Sequence, residues 1–202
     1  PVVSMRSDVS VISLSDIADA FSGRITRWTD INGEDLPLTV HLGPEADGQV
    51  QRFIDEVVRA SGGKMSAEVI RHASDEELAA AVDADAGALG ILPQTVVENV
   101  QPIALRDHCG FITSPRVTTL KTEDCPLTAP LFLYMPSRRL PPLARDFFAW
   151  LRGPDAQLVA RRAGFVDQGA VPISLDAQGQ RFANAIAAAG DDMPLTELQR
   201  MF

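Results

Sequence analysis

Short apolar strands and amphipathic helices alternate along most of these 202 residues, and this alternation limits the fold more than any other feature. Helices are indicated where apolar residues recur every three or four positions, and strands where short apolar runs lie between turn residues. Such an order is typical of an α/β fold with a mostly parallel sheet. The predicted helices cover residues 13–23, 49–60, a stretch beginning at Ser74, 141–151, 154–163 and 181–189, and the predicted strands cover 36–42, 88–92 and 130–135.

Two of the helix starts carry capping signals. Ser13 is followed three residues later by Asp16, which is a short version of a capping box, and Ser74 is followed by Glu77, which makes a full one. Residues 100–130 show no comparable pattern and are predicted to be irregular. The helix starts are therefore better defined by the sequence than the part of the chain that follows residue 100.

Charge and motif content exclude several classes of function. The chain has 27 acidic and 18 basic residues and a net charge of −9, which argues against nucleic acid or anionic lipid as a partner. No apolar run is long enough to cross a bilayer, so no membrane insertion is expected. The sequence has no nucleophile elbow, phosphate-binding glycine loop, dinucleotide fingerprint or zinc spacing. We therefore expect a protein that is not an enzyme and uses no metal or cofactor.

Four segments match one known family in order and spacing. Residues 21–28 read Phe-Ser-Gly-Arg-Ile-Thr-Arg-Trp, close to the family's Phe-Ser-Gly-Lys-Ile-x-x-Trp. Residues 87–91 resemble its Gly-Ala-Ile-Gly-Tyr strand, residues 125–134 its return strand, and residues 147–165 its closing pair of helices. On these segments the chain resembles the periplasmic phosphate-binding proteins of ABC transporters over residues 10–167.

The resemblance implies a particular division of the chain. It predicts a periplasmic-binding-protein-like α/β fold with one complete lobe and the C-terminal part of a second. Residues 10–104 form the complete lobe with its altered anion-binding loop, and residues 105–202 form the return segment and the part of the other lobe. The family begins with a strand–helix–strand unit for which residues 1–10 leave no room. A homodimer that covers the sheet edge and apolar surface left open is a hypothesis.

The two cysteines and the tail from Phe165 are more similar to a bacterial subgroup of this family. There the binding domain precedes an OmpA-like peptidoglycan-binding domain, and no such second domain is present in these residues. In this subgroup the resemblance implies a disulfide between Cys109 and Cys125, which would contribute about 3 kcal/mol and indicate the periplasm. Two free buried thiols are the alternative.

The family's anion-binding loop is recognisable but altered. Relatives hold phosphate with Ser and Thr hydroxyls, an Arg and the amides of a helix N-terminus. Counting back from Phe53, Gly48 matches the family's glycine, Asp47 stands in place of Ser, and Gln49 in place of Thr. Gly43 stands in place of the Arg. The candidate ligand-binding residues are Gly43, Glu45, Asp47, Gly48 and Gln49.

These replacements work against phosphate. A carboxylate a few ångströms from a bound anion repels it by about 1–4 kcal/mol, and without the Arg a charge-assisted partner is lost. Asp47 can instead cap the following helix with its own side chain. We therefore predict that phosphate binding through this loop is weakened by orders of magnitude. His41, on the strand before the loop, is predicted to be at the surface or half-buried.

Two functions follow from this reading. The first is a solute-binding-protein-like domain of the bacterial cell envelope, with a small polar ligand or oxyanion and a transporter or envelope protein as partner. Glu45, Asp47 and Gln49 suit a ligand that is neutral or carries a cation. The alternative is a structural or protein-interaction module of an envelope protein that has lost transport.

Overall fold

The structure is a computed structural model and describes residues 1–31, 33–96, 98–107 and 110–189. The strands are β1 (Val2–Ser4), β2 (Val11–Ser13), β3 (Thr39–Leu42), β4 (Ile70–Arg71), β5 (Ala88–Gly90), β6 (Val100–Pro102), β7 (Ala104–Arg106) and β8 (Ile112–Thr113). The helices are α1 (Leu14–Phe21), α2 (Gly48–Phe53), α3 (Asp75–Ala84), α4 (Val117–Lys121), α5 (Pro142–Leu151), α6 (Pro154–Arg162) and α7 (Leu175–Ala189). A π-helical stretch, Ile54–Arg59, continues α2.

The strands form two sheets. One has five strands in the order β4-β3-β5-β1-β6, and the other has three in the order β2-β7-β8. Strand β3 runs parallel to β4 and β5, and β2 runs parallel to β7. Strand β1 is antiparallel to both β5 and β6, and β7 is antiparallel to β8. The α/β class is confirmed, but the sheets are mixed rather than mostly parallel because β1 inserts between β5 and β6.

Helix α1 begins as its sequence predicts. The Ser13 hydroxyl accepts a hydrogen bond from the Asp16 amide at 3.0 Å, and the Asp16 carboxylate accepts one from the Ser13 amide at 3.4 Å. The helix places Phe21 against Phe53 of α2, with ring centroids 5.0 Å apart in an edge-to-face arrangement. Gly23, with φ of 77°, ends the turn that follows in a conformation that glycine adopts without strain.

The capping box predicted at Ser74 forms only in part. The Ser74 hydroxyl accepts a hydrogen bond from the Glu77 amide at 3.3 Å, as predicted. The Glu77 carboxylate, however, accepts from the amide of Ala73 at 3.1 Å, one residue earlier than a capping box requires. The start of α3 is nevertheless fixed at the predicted place.

One main core joins both sheets to α1 and α2. Its fully buried residues include Val3 and Leu42 of the five-stranded sheet and Leu105 of the three-stranded sheet. A second cluster lies between α3 and the five-stranded sheet and consists of Val2, Leu78, Ala79, Val82, Ala88 and Val100. The apolar faces of α1 and α3 thus supply the burial that the short strands cannot provide by themselves.

Two predictions after residue 100 are wrong. The stretch predicted to be irregular contains β6, β7, β8 and α4. Residues 130–135, predicted as a strand, belong to none, and Leu131 and Tyr134 there are 71% and 86% exposed. An apolar run forms a strand only when a neighbour completes its hydrogen bonds, and none of the described strands pairs with this one. The division at residue 104 and the homodimer stay predictions.

The cysteine pairing is not tested by the structure. Cys125 is buried just after α4, and Cys109 lies outside the described residues. The segment around α4 is held to the C-terminal part by ion pairs, since Lys121 contacts buried Asp167 at 3.0 Å and Arg181 contacts Asp124 at 2.6 Å. The bond from Lys121, followed by the amide of Gly169, lowers the pKa of the Asp167 carboxyl group.

Candidate functional site

Three parallel strands of the larger sheet end at one edge, and the predicted ligand-binding residues follow the central one. Strand β3 ends at Leu42, with β4 and β5 ending beside it at Arg71 and Gly90. Residues 43–47 then lead into α2. In open α/β sheets, ligands bind outside the carboxyl ends of the strands. The position of these residues is therefore the one expected of a ligand site in such a fold.

Asp47 occupies the N-terminal amides of α2 with its own side chain. Its backbone is extended, with φ of −72° and ψ of 129°, and its Oδ1 accepts from the Gln49 amide at 2.6 Å and the Val50 amide at 3.2 Å. An acidic N-cap satisfies donors that the helix itself leaves free. The self-capping anticipated from the sequence is thus present in the structure.

The loop before α2 is folded on itself and open to solvent. The Asp47 amide donates to the Pro44 carbonyl at 3.1 Å, and the Gln51 side chain donates to the Glu45 carbonyl at 2.7 Å. The side chains of Glu45 and Gln49 are exposed. These bonds fix the loop backbone without using the Glu45 carboxylate, so that group remains free to meet a ligand.

Two site residues, Arg71 and Asp75, were missed in the sequence. The Arg71 guanidinium donates to the Gly43 carbonyl at 3.2 Å. A Cβ atom added to Gly43 would lie 3.4 Å from the Asp75 Oδ1, so Asp75 stands directly beside the loop. Burial, followed by the negative charges of Asp47 and Glu76, raises the pKa of the Asp75 carboxyl group. The sequence signal for Asp75 was the predicted helix cap at Ser74, because α3 begins at the edge of the sheet where the loop lies.

The site therefore gathers the five predicted residues on the loop before α2 and its first turn, and adds two more from neighbouring elements. Its carboxylates outnumber its one guanidinium, and the helix amides that would attract an anion are already bonded to Asp47. Such a surface accepts hydrogen bonds better than it donates them. Across the described part of the chain, no three His, Cys, Asp or Glu residues gather closely enough to hold a metal ion.

His41 corrects another expectation. It precedes Leu42 at the end of β3 and is buried, with 4% of its surface exposed, rather than at the surface or half-buried. Its Nδ1 lies 2.9 Å from the Nε2 of His72, which follows β4. Strand alternation turns His41 away from the main core, toward the face of the sheet that α3 covers.

Removing the cap should have a measurable structural effect. We expect Asp47→Ala to lower the free energy of unfolding by about 1 kcal/mol, because two amides of α2 lose their acceptor. Asp47→Asn keeps an acceptor oxygen and should cost less than Asp47→Ala. Urea denaturation of the three proteins measures both differences, and equal stability of all three would show that the cap contributes nothing.

The described helices include none that is long and apolar enough to cross a membrane. Among known proteins, no family model matches the chain. The chain is 25% identical over 182 residues to the phosphate-binding protein PstS of Bacillus subtilis, a match that covers 90% of this chain and 57% of that protein. The chain thus spans little more than half the length of this relative.

Solved structures share the fold. A putative phosphate ABC transporter substrate-binding protein from Clostridium perfringens, solved with bound phosphate, matches 82% of this chain and 66% of its own, with 15% identity and a TM-score of 0.67. An ABC-type phosphate transport receptor from Vibrio cholerae matches 82% of this chain and 67% of its own, with 16% identity and a TM-score of 0.65.

The class of fold is defined by these matches. The chain has the mixed α/β fold of the periplasmic phosphate-binding proteins, and the second lobe is present only in part. More particularly, it is similar in sequence to PstS-type phosphate-binding proteins over most of its length. The resemblance found from four short segments is therefore confirmed at the level of the fold.

Proposed function

We propose that this chain is the solute-binding part of a bacterial extracytoplasmic receptor that delivers a small solute to a membrane transporter. The support is the shared fold, the similarity to phosphate-binding proteins, and a candidate site at the carboxyl ends of β3, β4 and β5. This arrangement suits reversible binding rather than catalysis. The periplasm is the proposed location, with the transporter's membrane component as partner.

We propose further that residues 43–49 do not bind free phosphate dianion. The observation that carries this proposal is the position of the Asp47 Oδ1, within hydrogen-bond distance of the Gln49 and Val50 amides. Those donors are the ones that a helix N-terminus offers to an oxyanion. A dianion would have to displace the carboxylate or approach it, and half-buried Asp75 lies close by. The loop is suited instead to a polar solute with hydrogen-bond donors or a positive charge.

Phosphate titration tests this proposal. By calorimetry and thermal shift, millimolar phosphate should produce no binding signal with the unaltered chain. A true ligand present at a hundredfold excess over its dissociation constant should stabilise the fold by about 2.7 kcal/mol. A panel of amines, amino acids, sugars and sulfate identifies the ligand class. Micromolar affinity of the unaltered chain for phosphate would contradict the proposal.

Two charge variants test whether the Asp47 carboxylate or the overall charge of the chain opposes phosphate binding. Asp47→Asn should bind phosphate about tenfold or more tightly than the parent, because one repulsive charge beside the amides is removed. Asp146→Asn on α5 makes the same change in net charge and should leave phosphate binding unchanged, since Asp146 is exposed and α5 makes its main contacts with α6 rather than with β3 or α2. An equal gain in both variants would mean that overall charge, not the loop, excludes phosphate.

A combined variant tests the loop as a unit. Gly43→Arg, Asp47→Ser and Gln49→Thr together restore the family's residues, and a Cβ at Gly43 would lie at ordinary contact distance, 3.4 Å, from Asp75 and Val50. The restored loop should bind phosphate more tightly than Asp47→Asn. No gain over Asp47→Asn would show that the remaining family residues do not matter here.

The interaction module is the weaker candidate, because both comparisons favour solute-binding proteins. Silence of the unaltered chain and of the restored loop across the whole ligand panel would favour it. We also propose that the chain belongs to the OmpA-like subgroup and that Cys109 and Cys125 form a disulfide. Mass spectrometry of the oxidised protein under alkylation tests the disulfide, and two alkylated cysteines would exclude it.

A further inference from the structure

Two histidine rings lie nearly parallel and within hydrogen-bond distance of each other at the edge of the five-stranded sheet. His41 lies on β3 and His72 directly after the edge strand β4, with ring centroids 5.2 Å apart and planes 14° from parallel. The Nδ1 of His41 is 2.9 Å from the Nε2 of His72. The other ring nitrogen of His41, Nε2, is buried and makes no hydrogen bond within the described structure.

The hydrogen bond between the rings selects one tautomer. If His72 donated, His41 Nε2 would have to carry a hydrogen that points into the protein without an acceptor. If His41 donates from Nδ1, its Nε2 is a bare lone pair, which is less costly to bury than an unpaired N–H. The geometry therefore favours the Nδ1–H form of His41, with His72 Nε2 as acceptor.

The surroundings of His41 stabilise its protonated form only weakly. Asp85, which accepts a hydrogen bond from Thr39 at 2.6 Å, is the carboxylate that acts on His41, and it raises the pKa. Burial, followed by the charge of His72, outweighs it and lowers the pKa of His41. The partner of His41 on β5 is Gly90, which has no charged side chain. On α3, Leu78 and Val82 are buried against the sheet. Asp75, the first residue of α3, lies beside Gly43.

We infer that the His41–His72 pair is an acid-sensitive latch that holds edge strand β4, and with it Arg71 of the candidate site, on the sheet. A proton on His72 Nε2 removes the acceptor of the bond, and a proton on His41 Nε2 places an unpaired donor and a charge in the interior. Either event opposes the hydrogen-bonded arrangement of the two rings. The inference stands on these two rings and does not depend on the proposed function.

Strand β4 is short and lies at the edge of its sheet. It contains two residues, Ile70 and Arg71, both exposed, and pairs with β3 on one side only. The His72 amide donates to the Leu42 carbonyl at 3.0 Å, so the histidine pair and this ladder bond act on the same residue. Because Arg71 contacts the Gly43 carbonyl, release of β4 would also loosen the loop before α2.

The direction of the pH effect follows from proton binding. The pKa of His41 is lower in the folded chain than in the unfolded chain, where it is near the ordinary histidine value. The unfolded state therefore binds more protons. The latch contribution is present above about pH 6.5, the unfolded value, and is lost as the pH falls through the lower pKa of folded His41.

Urea denaturation at pH 7.5 and pH 5.5 tests the latch. The unfolding equilibrium constant of the unaltered chain should rise between the two pH values through this pair, up to the limit of about tenfold that one histidine kept neutral at pH 5.5 can supply. In His41→Leu that rise should shrink to about twofold or less. In His72→Gln it should shrink less, because the burial of His41 remains. His108→Gln, which replaces the third histidine and lies outside the described residues, serves as control and should keep the full rise. Groups that titrate in every variant cancel in these differences.

Two further readouts separate a latch from ordinary packing. Imidazole ¹⁵N spectra should show His41 as the Nδ1–H tautomer at pH 7.5, and hydrogen-exchange protection of the His72 amide should fall at pH 5.5 in the unaltered chain but not in His41→Leu. The same acid sensitivity in His41→Leu and the unaltered chain, or an Nε2–H tautomer of His41, would overturn the inference. Because none of these measurements uses a ligand, their failure would leave the proposed function standing.

Discussion

Trp28→Ala is expected to lower the free energy of unfolding by about 4 kcal/mol, one of the two largest effects in this protein. Trp28 is 2% exposed and lies in the main core. Its indole Nε1 donates a buried hydrogen bond to the Gly87 carbonyl at 2.9 Å. That carbonyl also accepts from the Thr39 amide at 3.1 Å, so it keeps one partner in the variant. The cavity, rather than an orphaned carbonyl, therefore dominates the loss.

Urea denaturation followed by circular dichroism measures the effect, and two variants serve as controls. Trp28→Phe retains most of the buried ring and should cost about 1–2 kcal/mol, mainly for the lost hydrogen bond and indole volume. Trp150→Ala removes the other tryptophan, which is 46% exposed on α5, and should cost less than about 1 kcal/mol. If Trp28→Ala were no worse than Trp150→Ala, the core assignment would be wrong.

The bond between Trp28 and Gly87 joins two of the four segments that match the family. Trp28 ends one matched segment and Gly87 begins another, and the chain separates them by 59 positions. Each segment could be matched from the sequence, because each is a local pattern of apolar residues and glycines. Their meeting depends on the arrangement of the sheet, which brings β5 beside β3 and the turn before it. Two local patterns that are distant in the sequence therefore meet at one junction in this fold.

The elements predicted correctly are those that short-range chemistry defines. The starts of α1 and α3 depend on Ser13 and Ser74, whose hydroxyls bond within the first turn of each helix. Strands β6, β7 and β8 have two or three residues each, too short for a period to be visible. Residues 130–135 show the opposite failure, because a strand-like composition does not supply a neighbouring strand.

The contacts of the candidate site also divide into local ones, which the sequence predicts, and ones set by strand pairing, which it does not. The Asp47 cap involves amides two and three residues away and could be predicted from the sequence. Arg71 reaches the loop only because β4 pairs with β3 in a register that sets Arg71 opposite Leu42. The same register brings His72 to His41, across 31 positions of the chain. Nothing local marks Ile70 and Arg71 as a strand, so neither contact could be predicted.

Gly87→Ala is expected to lower the free energy of unfolding by about 3 kcal/mol, although it adds a single methyl group. A Cβ at this position would lie 2.2 Å from the Pro37 carbonyl oxygen, which is backbone and cannot rotate away as a side chain can. Relief requires β5 to move from the turn before β3, and the Gly87 carbonyl would then leave the Trp28 indole and the Thr39 amide. One methyl group thus displaces the backbone next to Pro37 and weakens both hydrogen bonds to the Gly87 carbonyl.

Gly48→Ala is the matched control for Gly87→Ala, since a Cβ at Gly48 meets nothing within 4 Å. It lies in the first turn of α2, where alanine is accepted, so stability should change by no more than about 0.5 kcal/mol. Combining Gly87→Ala with Trp28→Phe should cost less than the sum of the two, because both changes break the same hydrogen bond. Additive losses, or a Gly87→Ala variant as stable as Gly48→Ala, would show that the junction between β5 and the turn does not constrain the fold.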